Sequence, residues 1–222
     1  MFTDRYDAGE QLALRLTKYR GRDTVVYALP RGGVLVGYEI AQKLKIPLDL
    51  VITRKIGHPA DREFAICAIT EDGERVCDES SLQGIDEEWL ENASNTEKSE
   101  AERRRQIYKG GAASISAKGK LAIVVDDGIA TGLTIRAAIK AIKKQQPKKL
   151  IVAIPVAPHE VVERLRTEVD AVVVVSEAIN FLGAVGQYYA NFPEVFDKEV
   201  QVCLRQAEQK YKEEANGNYK NH

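Results

Sequence analysis

Long apolar runs are missing from this chain of 222 residues. Residues 171–175, one of the longest, stop far short of the length that crosses a bilayer. Asp4, Arg5, Asp7 and Glu10 interrupt the place where the apolar core of a signal peptide would lie. The expectation is a cytoplasmic protein without a membrane partner. Cysteine is scarce: Cys67, Cys77 and Cys203 form no C-x-x-C pair and no metal-ligand spacing. They are expected to be small apolar fillers in a reducing compartment, with no disulfide framework. Charge of one sign is also lacking. The 32 Lys and Arg nearly cancel the 33 Asp and Glu, for a net charge of -1, so no nucleic-acid partner is expected. No G-x-x-x-x-G-K-[ST] loop, no G-x-G-x-x-G fingerprint and no internal repeat occurs, which removes P-loop and dinucleotide-binding readings.

What is present is an alternation of short apolar runs with amphipathic stretches. Residues 7–19 carry Ala8, Leu12, Leu16 and Tyr19 at helical spacing, closed by Gly21. Residues 24–29, 48–53 and 63–70 read as strands, and 34–44 as a helix. Glu71-Asp72-Gly73-Glu74 reads as a hairpin turn into residues 75–77. Residues 86–108 read as a long, polar, exposed helix. Strands at 121–125, 150–154 and 171–175 alternate with helices at 132–144 and 159–166. This pattern predicts an α/β fold, a mostly parallel open sheet flanked by helices and Rossmann-like, with a short antiparallel hairpin. One domain is expected over residues 1–204, with a helical insertion at about 80–115 and a polar, frayed tail at 205–222.

Ligands of such sheets bind beyond the carboxyl ends of the strands. The loop after residue 125 is the most informative. A buried strand delivers Asp126 and Asp127, and Gly128 allows a sharp turn. Thr131 and Gly132 open the next helix. Its N-terminus offers unpaired N–H groups and the positive end of a dipole, a seat for phosphate, with Thr131 and Thr134 adding hydroxyls. Carboxylates repel phosphate and suit ribose hydroxyls or a magnesium shell. The combination describes a ribose 5-phosphate site. Taken alone, two acids before a glycine fit a helix cap equally well.

Val124-Val-Asp-Asp-Gly-Ile-Ala-Thr-Gly132 resembles the 5-phosphoribosyl-1-pyrophosphate (PRPP) binding motif of the type I phosphoribosyltransferases. Gly128 departs from it mildly, standing where many members carry an aliphatic residue. The resemblance implies that Gly128, Ile129, Ala130, Thr131, Gly132 and Thr134 hold the 5-phosphate, and that Asp126 and Asp127 hold the ribose hydroxyls. It implies that Arg31, Gly32 and Gly33 hold pyrophosphate in the loop Pro30-Arg31-Gly32-Gly33, often across a strained peptide bond. Two glycines there admit an anion close to the backbone, although Pro-x-Gly-Gly alone is also a simple turn. Arg54 and Lys55 resemble a basic pair that touches pyrophosphate and assists catalysis, with residues 56–63 as a mobile lid; a solvated charge pair is the bland alternative. His58 is expected to be incidental.

Arg103, Arg104 and Arg105 diverge on a helix, so a solvated face or an oligomer contact is expected, with one of them able to reach the site. Phe181 or Tyr188 stacks on an acceptor or simply packs. The resemblance covers about residues 5–200. It is strongest to small bacterial phosphoribosyltransferase-like proteins without an assigned acceptor, which share Leu-Pro-Arg-Gly-Gly, Arg-Lys-Ile-Gly and Ala-Val-Gly-Gln-Tyr-Tyr.

The implied activity is transfer of the 5-phosphoribosyl group from PRPP to a small-molecule acceptor, with release of pyrophosphate. Mg2+ would be carried mainly by PRPP, touching Asp126 or Asp127. A small hood and a homodimer are the family expectation. The alternatives are a PRPP- or nucleotide-sensing module without catalysis, half of a PRPP-synthesising kinase, which the absence of a repeat disfavours, and a scaffold with a decayed site. A core helix beginning at Asp7 favours the enzyme over a sensor with an upstream DNA-binding segment.

Overall fold

The computed structural model describes residues 1–21 and 23–217. Helix α1 (Arg5–Arg15) starts at Asp4, whose carboxylate accepts from the N–H groups of Tyr6 and Asp7, a cap that satisfies two otherwise orphaned donors. Strand β1 (Thr24–Ala28) leads into α2 (Gly32–Leu44), then β2 (Leu48–Leu50). Later elements β6 (Leu121–Val125), α4 (Leu133–Lys144), β7 (Lys149–Pro158), α5 (His159–Glu168) and β8 (Ala171–Ala178) complete a parallel five-stranded sheet in the order β2-β1-β6-β7-β8. The expected α/β class, parallel sheet, flanking helices and antiparallel hairpin are all present.

Strands β1 and β6 are buried along their whole length, as parallel strands covered on both faces must be. Alternation decides which face each residue serves. Ile123 and Val125 join Leu12, Leu16, Ile40 and Leu204 beneath α1, α2 and the last helix. Ala122 and Val124 join Ile135, Ile139 and Leu165 beneath α4 and α5.

Between β2 and β6 the chain builds a second layer, a hood. Strands β3 (Thr53–His58), β4 (Asp61–Thr70) and β5 (Arg75–Cys77) form an antiparallel sheet, and α3 (Glu87–Lys109) covers it. Ile56, Ile66, Cys67, Ile69 and Leu90 pack one face of this sheet on α3. Ala68 packs on Leu133 and Ala137 of α4 from the other face. Residues 51 and 52 are the crossing point. Val51 N–H still donates to Ala28 in the core sheet, whereas the carbonyl of Ile52 accepts from Glu71 in the hood.

Four expectations are corrected. The apolar run 48–53 is not one strand, because its end changes sheets. Residues 56–63 are not a loop but the tip of the β3–β4 hairpin. Cys67 and Cys77 are not isolated fillers. The β4–β5 register sets them opposite each other, and they form a disulfide, while Cys203 is free and buried. The tail expected to fray from 205 is helical through Gly217 as part of α6 (Asp197–Gly217), with Leu204 and Ala207 buried against the core. Residues 218–222 of that tail lie outside the described residues. No helix among the described residues is long and apolar enough to cross a membrane.

Candidate functional site

A cavity of about 900 Å³ opens between the carboxyl ends of β1 and β6 and the hood. Residues 126–132 and Thr134 line its floor. The β6–α4 loop is pinned by the N–H of Ile129, which donates to Val156 of β7 at 3.0 Å. Gly132 is the N-cap of α4. All eight residues expected from this loop therefore surround one space at a helix N-terminus.

The β1–α2 loop touches the same loop from behind. The Pro30–Arg31 peptide bond is cis. A Cβ on Gly32 would lie 1.8 Å from Oδ2 of Asp127, and one on Gly33 would lie 2.9 Å from Cα of Asp126. Glycine is required here because no side chain fits between the two loops. Of this loop, Pro30 lines the cavity, and the Arg31 side chain turns away to pair with Glu194 at 2.6 Å.

The two acids are held differently. Asp126 Oδ1 accepts from the N–H of Asp127 at 2.8 Å. Burial, and then the charge of Asp127, push the Asp126 carboxyl well above the usual carboxylate range. Asp127 is also raised by burial, but the Arg5 guanidinium opposes the rise. Arg5 Nε donates to Oδ2 of Asp127 at 2.6 Å, and Nη1 donates to the carbonyl of Pro193 at 2.8 Å. The guanidinium carbon lies 3.7 Å from the centre of the Phe192 ring. Tyr189 Oη donates to the Asp127 carbonyl at 2.6 Å. Arg5 and Phe192 had no signal in the sequence, because their partners come from distant parts of the chain, and Tyr189 was marked by the shared Ala-Val-Gly-Gln-Tyr-Tyr segment without a role.

The opposite wall is the hood. Arg54 and Lys55, on β3, both line the cavity. Arg54 is tied to Glu97 of α3 at 2.8 Å, and the charge of Lys55 acts on Asp126. Trp89, Ala93, Thr96, Glu97 and Arg104 recur along one face of α3 and line the same space, a wall that the reading of α3 as exposed missed. The three arginines diverge as helical geometry requires. Arg103 pairs with Glu100 in solvent, and Arg104 lines the cavity. Arg105 reaches the other way, to Asp49 at 3.3 Å and Glu71 at 3.2 Å. His58 lines the cavity, with Nδ1 accepting from Ala60 N–H across the hairpin tip.

Gly128 departs from the aliphatic expectation for a visible reason. A Cβ there would lie 2.3 Å from Cγ1 of Val185, which lines the cavity in its place. Phe181 and Tyr188 stack on each other, with centroids 5.5 Å apart, and do not line the cavity. His159, Glu163 and Glu177 group at the carboxyl ends of β7 and β8, but Arg166 pairs with both glutamates, and none of the three lines the cavity. The arrangement suits a phosphorylated, polyhydroxylated ligand: helix N–H groups for phosphate, carboxylates for hydroxyls, and cations for further anionic charge.

Comparison with known proteins agrees with this geometry. Residues 3–190 match the model of the phosphoribosyl transferase domain. Two curated relatives from strains of Mycobacterium tuberculosis, Rv0571c and MT0597, are provisionally named phosphoribosyl transferases. Each is 39% identical over 215 residues, covering 96% of this chain and 48% of the relative. The chain thus spans about half the length of these relatives. The crystal structure of TT1426 from Thermus thermophilus superposes with a TM-score of 0.77 at 38% identity, covering 92% of this chain and 98% of TT1426.

Proposed function

Because this chain belongs to the phosphoribosyl transferase domain family, we propose that it transfers the 5-phosphoribosyl group of PRPP to a small-molecule acceptor and releases pyrophosphate. The observation that carries this reading is the cavity floor. An acid pair and a helix N-terminus, seven residues of one loop and Thr134, meet a glycine loop that leaves no room for side chains.

In this reading the N–H groups and hydroxyls of residues 128–134 bind the 5-phosphate, with Thr131 and Thr134 as side-chain donors. Asp126 and Asp127 accept from the ribose hydroxyls. The backbone of Arg31, Gly32 and Gly33 at the start of α2 receives the pyrophosphate. Lys55 and Arg54 neutralise it from the hood, and Arg54 does so while anchored to Glu97. The acceptor enters beside the α3 wall and Val185. Transfer through an oxocarbenium-like state needs positioning and stabilisation of the leaving group, and no enzyme nucleophile.

The donor set fits Mg2+. Asp126 and Asp127 place hard carboxylate oxygens on the cavity floor, and such oxygens suit that ion. When bound with the donor, Mg2+ would supply charge neutralisation of the pyrophosphate, and Asp126 or Asp127 would contact it.

The test is calorimetric titration of PRPP with and without Mg2+, on the wild type and on Asp126→Ala/Asp127→Ala. Magnesium-dependent binding that the double variant loses is the expected outcome, and a screen of purine, pyrimidine, amine and pyridine acceptors for pyrophosphate release follows. A folded wild type that binds no PRPP ends the proposal. Binding without turnover on any acceptor moves the reading to a sensing module.

A further inference from the structure

Arg5 stands out as a nearly buried cation, 7% exposed, in a cavity whose remaining cations stand on the hood. It comes from the first turn of α1, 122 residues before the acid that it contacts. Its polar and aromatic contacts converge on holding Asp127. Nε takes Oδ2, Nη1 is anchored on Pro193, and the guanidinium plane rests on Phe192. On the far side of Oδ2, the Gly32 backbone is so close that not even a Cβ would fit. The carbonyl of Asp127 is fixed in turn by Tyr189. The carboxylate is thus held through Oδ2, and Oδ1 accepts from no N–H group among the described residues, with the Asp126 carboxyl as its neighbour.

We propose that Arg5 is a positioning residue that fixes Oδ2 of Asp127, so that Oδ1 alone is presented to a hydroxyl of the phosphoribosyl donor. The proposal rests on the reading of the cavity as a PRPP site. The chemistry follows from two properties of the guanidinium. It is planar and always charged, so one side chain both pairs with a carboxylate and fixes its plane. A carboxylate held in this way offers its other oxygen to a hydroxyl in a fixed direction. The groups facing Asp127 are Arg5 from α1, Asp126 on its own loop and Tyr189 from the segment after β8. Arg5 is the cation among them.

The experiment measures the affinity of wild type, Arg5→Lys and Arg5→Met for PRPP and for pyrophosphate, each with Mg2+. Arg5→Met is expected to weaken PRPP binding by about 10- to 100-fold and to leave binding of pyrophosphate, which carries no ribose hydroxyl, unchanged. Arg5→Lys keeps the charge without the planar fork, so its affinity for PRPP falls by about tenfold. Added methylguanidinium restores part of the binding in Arg5→Ala. If Arg5→Met does not fold, Arg5→Lys decides, and wild-type affinity in it overturns the inference. Unchanged PRPP binding in Arg5→Met, or an equal loss of pyrophosphate binding, also overturns it, with the PRPP reading intact. A wild type that binds no PRPP overturns both.

Discussion

The two walls of the cavity are built on different principles. The floor, formed by the β1–α2 and β6–α4 loops, is made of backbone. Its glycines are set by contact, its N–H groups by a helix end, and its acids by a strand that is buried throughout. The hood wall is made of side chains on one face of α3 and on β3, already engaged in pairs such as Arg54–Glu97. A backbone-built site binds what all its ligands share, since main-chain donors tolerate no variation. A side-chain-built wall can be rewritten residue by residue. Under the proposed function, the floor takes the ribose phosphate, Arg54 and Lys55 on β3 serve the pyrophosphate, and the α3 face of the hood is left to choose the acceptor.

The comparison is sharpened most by a change that should destroy the floor. Gly32→Ala puts a methyl 1.8 Å from Oδ2 of Asp127, so the two loops must separate. PRPP-dependent turnover is expected to fall by about 100-fold or more, with a stability loss of about 1–3 kcal/mol in urea unfolding. Full activity in Gly32→Ala would mean that the floor is not built by close approach. A smaller effect is expected at the hood. Trp89→Ala should raise the KM for the acceptor by roughly tenfold and leave donor affinity unchanged in calorimetry. Equal losses for donor and acceptor would erase the distinction between the walls.

The smallest effect lies at the junction of the two layers. Glu71 sits at the hood turn, paired with Arg105, and one of its carboxylate oxygens is buried without a partner. Burial, opposed by Arg105, pushes its carboxyl up from 4.5 to about 7. An acid raised in the folded state contributes stability that is complete below its unfolded value and lost as pH rises through the folded one. Wild-type stability should therefore decline between about pH 5 and 8, by about 2 kcal/mol. Glu71→Gln should flatten that decline, as read from thermal melts across the same range. An unchanged slope in the variant would place the pH dependence elsewhere.

The same contrast explains what the sequence made legible. The β6–α4 loop is local: strand, acids, turn and helix start lie within residues 121–134, so pattern and motif sufficed. The main sheet was legible for the same reason, since each buried strand announces itself by its apolar run. The hood was not. Val51 and Ile52 continue the apolar run of β2 while the chain changes sheets, and periodicity does not register a change of partner. The cavity face of α3 interleaves Trp89 and Ala93 with Thr96, Glu97 and Arg104, a mixture no different from a solvated face. Arg5 was illegible because its meaning lies in Asp127 and Pro193, both far along the chain. The disulfide was one residue from legible. The turn expected at residues 71–74 sets 67 opposite 78, whereas the observed turn, closed by the Thr70 N–H on the Glu74 carbonyl, is one residue shorter and sets it opposite 77. The C-terminal helix was missed because Leu204 and Ala207 are sparse apolar positions in a polar run.

Tyr189 meets the Asp127 carbonyl across 62 residues of chain, and Arg5 needs Pro193 as well as Asp127. During synthesis the acids thus emerge well before the segment that braces them. At about 5–20 residues per second, that interval is roughly 3–12 seconds. For that time the nascent chain carries two crowded carboxylates whose partner Arg5 is already made but lacks its own anchors at Phe192 and Pro193. The parallel sheet can assemble first, and the brace behind the acids closes only afterwards.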